Sequence, residues 1–434
     1  MVSRRHPLFG TPLPADWQLL TVDDIKSTEK WSCVAGPFGS SISSKFFTET
    51  GVPVIRGANL RDDLTRFVPK GFVFVSEEQA EKYRPQHVRG GDLVFTCWGT
   101  LGQVGLIPRD GPFPVYIISN KQLKLRLNLV IADPLYAFYY FASPPMVQHI
   151  LGKAVGAAVP GINLGILKGL PVVVPPLPIQ RRIASILGAY DDLIEVNRRR
   201  VALMEEMARR LFNEKIARAV GGLPEPSGAC VQSRELPSGW TVKPLAAVAQ
   251  ITMGQAPPSA ELNVEGAGLV FHQGVSDFGE LFPGRRVFSE HLTGKRIADE
   301  GDILFSVRAP VGRINCALER TVLGRGLAAV QCRGGERAYL LAHLRATFHT
   351  TDLIGNGAIY RAVNRSDLER VPIVCAPPEI RAVINKQLED ILAAVRTAYS
   401  TNRALAASRD LLLPRLISGE LSLISAEREL EAVV

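Results

Sequence analysis

The sequence predicts an α+β protein made of one plan used twice, in the order globule, helix, globule, helix. Three observations carry this. Strings return late in the chain: "LPADW" at 13–17 as "LPSGW" at 236–240, and "GDLVFTCWGTLGQVGLI" at 91–107 as "GDILFSVRAPVGRINCAL" at 301–318. Likewise "GAAVPGINLGILKGLPVVVPP" at 156–176 returns as "GAIYRAVNRSDLERVPIVCAPP" at 357–378, matching Asn163 with Asn364, Leu167 with Leu368 and Pro171 with Pro372. Self-similarity of this kind marks a repeated structural unit. Short apolar runs closed by Gly and Pro, such as "GFVFVS" and "GDILFSV", read as strands joined by turns. Two unbroken stretches carry apolar residues at alternating spacings of four and three, the signature of heptad seams.

Each element follows in order. Residues 1–177 form the first globule, mostly strands with a few helical pieces such as "DPLYAFYYFASPPMVQHI" at 133–150. Residues 178–220 form the first long helix, whose seam runs Ile183, Leu187, Tyr190, Ile194, Asn197, Val201, Met204, Ala208 and Leu211. "GGLPEPSG" stops that helix and opens a linker over 221–235, because Gly and Pro cannot continue it. Residues 236–376 form the second globule, and 377–413 the second helix, with a seam of Ile384, Leu388, Ile391, Val395, Ala398, Asn402, Leu405, Arg409 and Leu412. Pro414 ends it and 414–434 is a tail. Helices this long bury too little alone, so they are expected to pack on each other. Asn197 and Asn402 lie near the seam midpoints, where a polar residue fixes register. The competing reading makes them ordinary core helices of a larger domain.

The totals narrow the class. A chain of 434 residues with 46% hydrophobic and 21% charged residues reads as a folded protein of more than one domain. No apolar run is long enough to cross a bilayer, and the N-terminus lacks the apolar stretch of a secretory signal, so a cytoplasmic setting is expected. The six cysteines are scattered without CxxC spacing, and the seven histidines have no metal-ligand spacing, so no metal site is expected. The net charge of +8 suits a polyanion partner.

Catalysis finds no support. An adenine methyltransferase would need Asn or Asp, two prolines and an aromatic ring to hold a flipped base; "SPPM" at 143–146, "VPPL" at 174–177 and "APPE" at 376–379 lack both ends of that motif. There is no phosphate loop for ATP and no cluster of carboxylates for a metal nuclease. Catalytic residues are therefore none. What remains suits reading. Arginines Arg308, Arg313, Arg325, Arg361 and Arg365 offer planar forks for guanine edges and phosphates, and Gln255 and Gln273 could pair with adenine. Each of these could equally belong to a solvated or structural polar surface. "GPFGSSI" at 36–42 offers backbone N–H groups and hydroxyls for a phosphate, or is simply a tight turn.

Nearly the whole chain resembles the specificity subunits of type I restriction–modification systems. The resemblance rests on "PPLPIQRRIASILGAYDDLIEVNRRRVALMEEMARRLF" at 175–212, "LLLPRLISGEL" at 411–421, "MGQAPPS" at 253–259, "HQGVSDFG" at 272–279, "GDILFSVRAPVG" at 301–312 and "GRGLAAV" at 324–330. It implies two target recognition domains, each reading half of a split sequence in double-stranded DNA. It implies a pseudo-twofold internal repeat in which two long antiparallel helices act as spacer and dock two methylation subunits. A translocase/nuclease subunit would join for restriction. S-adenosylmethionine, ATP and Mg would be bound by those partner subunits and none by this chain. By resemblance, DNA contacts are expected on the loops bearing Gly36, Ser40, Arg56, Asn59, Trp98, Thr100, Gln255, Ser259, Gln273, Arg308, Arg325 and Arg361. The first helix keeps the family's "IQRRIA", whereas the second reads "EIRAVI": Arg381 stands in for one basic residue and the glutamine is lost.

Overall fold

The Gly-Asp pair that opens each repeated string shows how the same residues build the same piece twice. Asp92 accepts from the Arg89 amide (3.0 Å) and Asp302 from the Asp299 amide (2.9 Å), closing the turn before a fully buried strand. Those strands are Leu93–Thr96 and Ile303–Ser306. The computed structural model describes residues 5–39, 41–156, 160–224, 236–279, 281–348 and 362–431. Its chain divides into a unit of Met1–Val196 with Asn402–Val434, and a unit of Asn197–Thr401.

In the first unit a four-stranded antiparallel sheet runs Cys33–Ala35, Gln122–Leu125, Leu93–Thr96, Val104–Leu106. A five-stranded sheet runs Phe47–Thr48, Val73–Val75, Val52–Ile55, Tyr116–Ile118, His87–Val88, with one parallel pair that sets Val54 against Ile117. A two-stranded ribbon pairs Gln18–Thr21 with Pro171–Val174. The second unit repeats all three in the same order. Ala249–Met253, Leu327–Cys332, Ile303–Ser306 and Ile314–Cys316 form the four-stranded sheet. Leu262–Asn263, Val287–Ser289, Leu269–His272, Thr321–Leu323 and Ile297–Ala298 form the five-stranded one. Thr241–Pro244 with Pro372–Cys375 forms the ribbon. Asn163 and Asn364 cap equivalent short helices, accepting from the Ile166 and Asp367 amides at 2.9 and 3.0 Å.

Both long helices are continuous, Leu177–Phe212 and Pro378–Ile417. In the first unit Ile183, Leu187, Tyr190 and Ile194 share one core with Leu405, Leu412, Leu413 and Leu416. Asn402 donates to the Ile194 carbonyl (3.2 Å). In the second unit Val201 and Phe212 share a core with Ile384, Leu388 and Val395. The first long helix gives way to a π turn, Asn213–Ala217, and a 3-10 turn, Arg218–Val220, closed by Gly221 at φ 67°. Residues 225–235 of the expected linker lie outside the described residues.

Three expectations are corrected. Pro414 does not end the second helix, which continues to Ile417. Proline costs the bond that its missing N–H would make to Asp410, but Leu412, Leu413, Leu416 and Ile417 are all buried and hold the last turn in the core. The residues after it are not simply a tail: Leu423–Glu431 is a helix whose Ala426 is buried in the first unit, and Glu427 chelates Arg182 through both carboxylate oxygens. Finally, the glutamine of "IQRRIA" works inside its own unit. Gln180 is fully buried, donates to the Pro175 and Ile131 carbonyls (2.7 and 2.9 Å) and accepts from the Asp133 amide (2.8 Å). Arg381 replaces that glutamine itself: it donates to the Ala376 carbonyl, also five residues back (3.0 Å), and pairs with Glu336. One helix-start clamp is made by an amide and the other by a cation.

His343 gives the second unit a built-in acid sensitivity. Fully buried, its Nε2 accepts from the Val374 amide (2.9 Å), which leaves Nδ1 to donate to the Thr347 hydroxyl (3.2 Å). Burial pushes the imidazole down to about 3. The unfolded chain therefore binds the proton first, and stability falls as pH drops from about 6.5 toward 3, by up to roughly 4–5 kcal/mol. His343→Leu is expected to lower stability at pH 7, because the Val374 amide loses its acceptor, and to flatten the pH dependence. Urea midpoints for both proteins between pH 4 and 7 measure this; parallel pH profiles would contradict it.

Candidate nucleic-acid interface

Arg56, Trp98, Gln273, Arg308 and Arg325 sit where the two large sheets of each unit meet, and equivalent backbone bonds fix their neighbours in both. In the first unit the Ser119 amide donates to the Ile55 carbonyl (3.2 Å), Gly36 to Gln122 (2.8 Å), Cys97 to Lys121 (2.8 Å) and Ile162 to Cys97 (3.1 Å). In the second, Gly324 donates to His272 (2.8 Å), Gly254 to Leu327 (2.9 Å), Val307 to Gly326 (2.9 Å) and Val363 to Val307 (2.9 Å). This lattice makes Arg56 the counterpart of Gln273, Trp98 of Arg308, Asn120 of Arg325 and Lys121 of Gly326.

In the first unit the lattice frames a concavity of about 460 Å³ lined by Arg56, Trp98, Thr100, Gln103, Asn120 and Lys121, among others. Three residues named from the sequence, Arg56, Trp98 and Thr100, are thus brought together. Trp98 is 43% exposed. Its indole lies on the backbone of Gly161, where a Cβ would come within 2.6 Å of the ring, so glycine is needed there to seat the ring with its other face open. In the second unit Arg308 bridges to Ala362, and without an indole to seat, the Cβ is tolerated.

Two named residues serve the frame and not the surface. Gly36 spends its amide on Gln122, and a Cβ there would fall 1.8 Å from the Ser119 carbonyl. Only a glycine lets those strands approach, and Gly254 repeats this against Gly324 at 2.1 Å. Asn59 is fully buried; its oxygen accepts from the Arg56 amide (2.9 Å) and its nitrogen donates to the Val68 and Lys70 carbonyls (3.0 Å each). It locks the turn that presents Arg56. Ser40 and Arg361 lie outside the described residues.

In the second unit Gln255, Ser259, Gln273, Arg308 and Arg325 are all exposed. Gln255 and Gln273 are both tied by backbone bonds to the segment 323–326, while Ser259 starts a single 3-10 turn, Ser259–Glu261. Charge pairing sorts the arginines that sequence could not. Arg285 pairs with Glu319, Arg286 with Asp277, Arg320 with Asp299, Arg337 with Glu389, Arg345 with Glu205, Arg365 with Glu369 and Arg370 with Asp367. Among the described residues Arg308, Arg313 and Arg325 have no carboxylate within 4 Å, nor do Arg56 and Lys121 in the first unit. Unneutralised cations at loop tips are what a polyanion contact requires. Among the described residues no group of His, Cys, Asp and Glu could hold a metal, and no helix is long and apolar enough to cross a membrane.

Sequence reading missed Gln103, Asn120, Lys121 and Phe38. Phe38 is 96% exposed on the loop that Asn120 fastens through the Gly39 carbonyl (3.0 Å). Aligning "SNKQL" at 119–123 with "GRGLA" at 324–328 would have found Asn120 and Lys121, but that alignment sets Gln122 against Leu327, which share no chemistry, with only Leu123 against Ala328 as an apolar match.

A fold of two repeated units, each ending in loops of unpaired cations and amides, defines a protein that reads nucleic acid. Comparison with known proteins makes this specific. Residues 38–206 match the family described as type I restriction modification DNA specificity domain. A Methanocaldococcus jannaschii chain, provisionally named the type I restriction enzyme MjaX specificity subunit, is 26% identical over 94% of each chain. The type I restriction enzyme MjaIX specificity subunit of the same organism is 20% identical, again over 94% of each. The crystal structure of the type I restriction-modification system S subunit from M. genitalium aligns over 92% of this chain and 96% of that one, with a TM-score of 0.52 at 15% identity, a likeness of fold. The chain is similar over nearly its whole length to type I restriction–modification specificity subunits and matches their DNA specificity domain over residues 38–206, which supports a role in DNA recognition.

Proposed function

We propose that each unit reads one half of a bipartite target in double-stranded DNA, through the loops that carry Arg56, Trp98, Thr100, Asn120 and Lys121 in one unit and Gln273, Arg308, Arg313 and Arg325 in the other. The observation that carries this is the backbone lattice built twice with uncompensated cations at its tips. Its hydrogen bonds are made by main-chain atoms, so the cationic tip side chains are left to the ligand, while Asn120 keeps its amide oxygen for it after donating to the Gly39 carbonyl. The long helices dock two methylation subunits and, for restriction, the assembly takes a translocase/nuclease subunit. S-adenosylmethionine, ATP and Mg are bound on those partners, and the complex works in the cytoplasm.

The test is a mobility shift with the chain assembled on its methylation subunits, using the motif that single-molecule sequencing finds methylated in cells carrying the system. Arg56→Ala and Trp98→Ala are each expected to weaken binding to that motif about tenfold or more, from one lost charge-assisted contact or one lost stacking platform. Arg56→Ala should also lower the salt slope by about one if it meets a phosphate. A shift indifferent to sequence would overturn the reading in favour of a helical scaffold. Methyl transfer by the purified chain alone would favour a self-sufficient modifying enzyme.

A further inference from the structure

We propose that the second unit reads a guanine-rich half-site, with Arg308 and Arg325 each taking the N7 and O6 edge of a guanine in the major groove, from positions that the first unit fills with Trp98 and Asn120; this rests on the two-reader function proposed above. The ladder between Ile303–Ser306 and Leu327–Cys332 sets Ser306 against Leu327, and the Val307 to Gly326 bond continues it by one step. Just past the end of that ladder, Arg308 bridges to Ala362 and Arg325 stands in the turn that the Leu327 amide closes on the Gly324 carbonyl (3.1 Å). Neither arginine has a carboxylate of its own unit within 4 Å, although seven other arginines of 285–370 do.

The backbone that carries each side chain is fixed. Arg325 sits between two glycines whose absent Cβ atoms would lie 2.7 Å from the Gln273 Cα and 2.5 Å from the Gln273 carbonyl. Its backbone is therefore pressed onto that of Gln273. Arg308 follows Val307, which is bonded to both Gly326 and Val363, and bridges to Ala362. Adjacent strands run about 5 Å apart, against 3.4 Å per base-pair step, so two forks carried just beyond their ends can serve neighbouring or next-neighbouring base pairs. A planar fork matches the two acceptors of guanine and no other base edge in the major groove. At the corresponding positions the first unit has Trp98 and Asn120: an indole, which cannot make that pair, and an amide, whose bidentate match is adenine.

The experiment uses the complex with its methylation subunits and duplexes carrying the methylated motif, in which each guanine of the second half-site is replaced in turn by 7-deazaguanine, which lacks the N7 acceptor. In the wild-type complex at least two such replacements are expected to weaken binding about tenfold or more. In Arg325→Ala one of those positions should cease to matter, and in Arg308→Ala the other. Discrimination in the first half-site, the control for folding, should stay unchanged. If the arginines held only phosphates, each alanine variant would weaken all duplexes alike and leave every 7-deazaguanine effect in place, which would overturn the proposal. A specific complex whose second half-site contains no guanine would overturn it and leave the two-reader function standing. Loss of sequence dependence in the wild type would overturn both.

Discussion

A four-residue helical insertion placed in both long helices, between Val196 and Asn197 and between Thr401 and Asn402, is expected to lengthen the unspecified spacer of the DNA target by one to two base pairs and leave both half-sites as they were. These are the points at which each helix passes from one unit into the other. One added turn lengthens a helix by about 6 Å, and at about 3.4 Å per base pair that is at most about two steps. Four residues add about 400° of rotation, a net of about 40°, and one base-pair step turns DNA by roughly 35°. Rise and rotation agree on the sign and nearly on the size. An insertion after Lys215 would not serve, because it falls between Phe212 and Ile216, both fully buried in the second unit, and would unseat that core. The measurement is the methylated motif in cells carrying the double insertion. An unchanged spacer at full methylation, or an altered half-site, would refute the idea that the helices set the distance.

Asp191→Ala is expected to destabilise the first unit by about 3–5 kcal/mol, the usual cost of stranding a buried charge. Asp191 receives the Arg409 guanidinium on one oxygen and the Tyr139 hydroxyl on the other, with Arg66 3.7 Å away. Arg409 is 5% exposed and its second terminal nitrogen reaches Asp410 (2.8 Å) and the Asp63 carbonyl (3.4 Å). Arg66 donates to the Gly188 carbonyl (3.1 Å) and pairs with Asp192 (3.1 Å). These bonds clamp the segment after Arg56 and Asn59 onto both long helices, so the variant should lose discrimination in one half-site before it unfolds. The double replacement Asp191→Leu with Arg409→Met should regain much of the loss in stability, because no uncompensated charge remains between those two positions. Urea unfolding with hydrogen exchange on peptides of each unit gives the numbers. Equal loss in single and double variants would show that packing, and not charge, governs the site. In the second unit the matching place is apolar: Leu281 and Phe282 are buried, and the Phe282 ring stands 5.0 Å from Tyr399.

Sequence patterning was a good guide wherever a residue's role follows from its neighbours along the chain. The strands closed by Gly and Pro and the 4–3 spacing of the two long helices are of this kind, since each pattern is set by residues a few positions apart. It was a poor guide where direction decides. "RGANL" at 56–60 contains one polar side chain that faces out and one that turns in, and both readings suit the same string. Pro414 misled because the apolar residues that outweigh its cost are contributed by a core assembled from distant segments. Five of the arginines of 285–370 could not be sorted from the sequence, because the carboxylates that neutralise them lie nine or more residues away, on turns and on the long helices.

The first unit is discontinuous in the chain while the second is not, and this orders events during synthesis. Residues 197–401 make the second unit from a single stretch, which can close its core as it leaves the ribosome. The first unit cannot. Ile183, Leu187, Tyr190 and Ile194 wait for Leu405, Leu412, Leu413 and Leu416 to complete their shared core. At about 5–20 residues per second the intervening 200 or so residues take roughly 10–40 s to emerge. For that time the nascent chain presents an apolar helix face with no native cover, the surface a holding chaperone would bind. A pause in translation just before residue 402 should therefore raise aggregation of the first unit far more than that of the second.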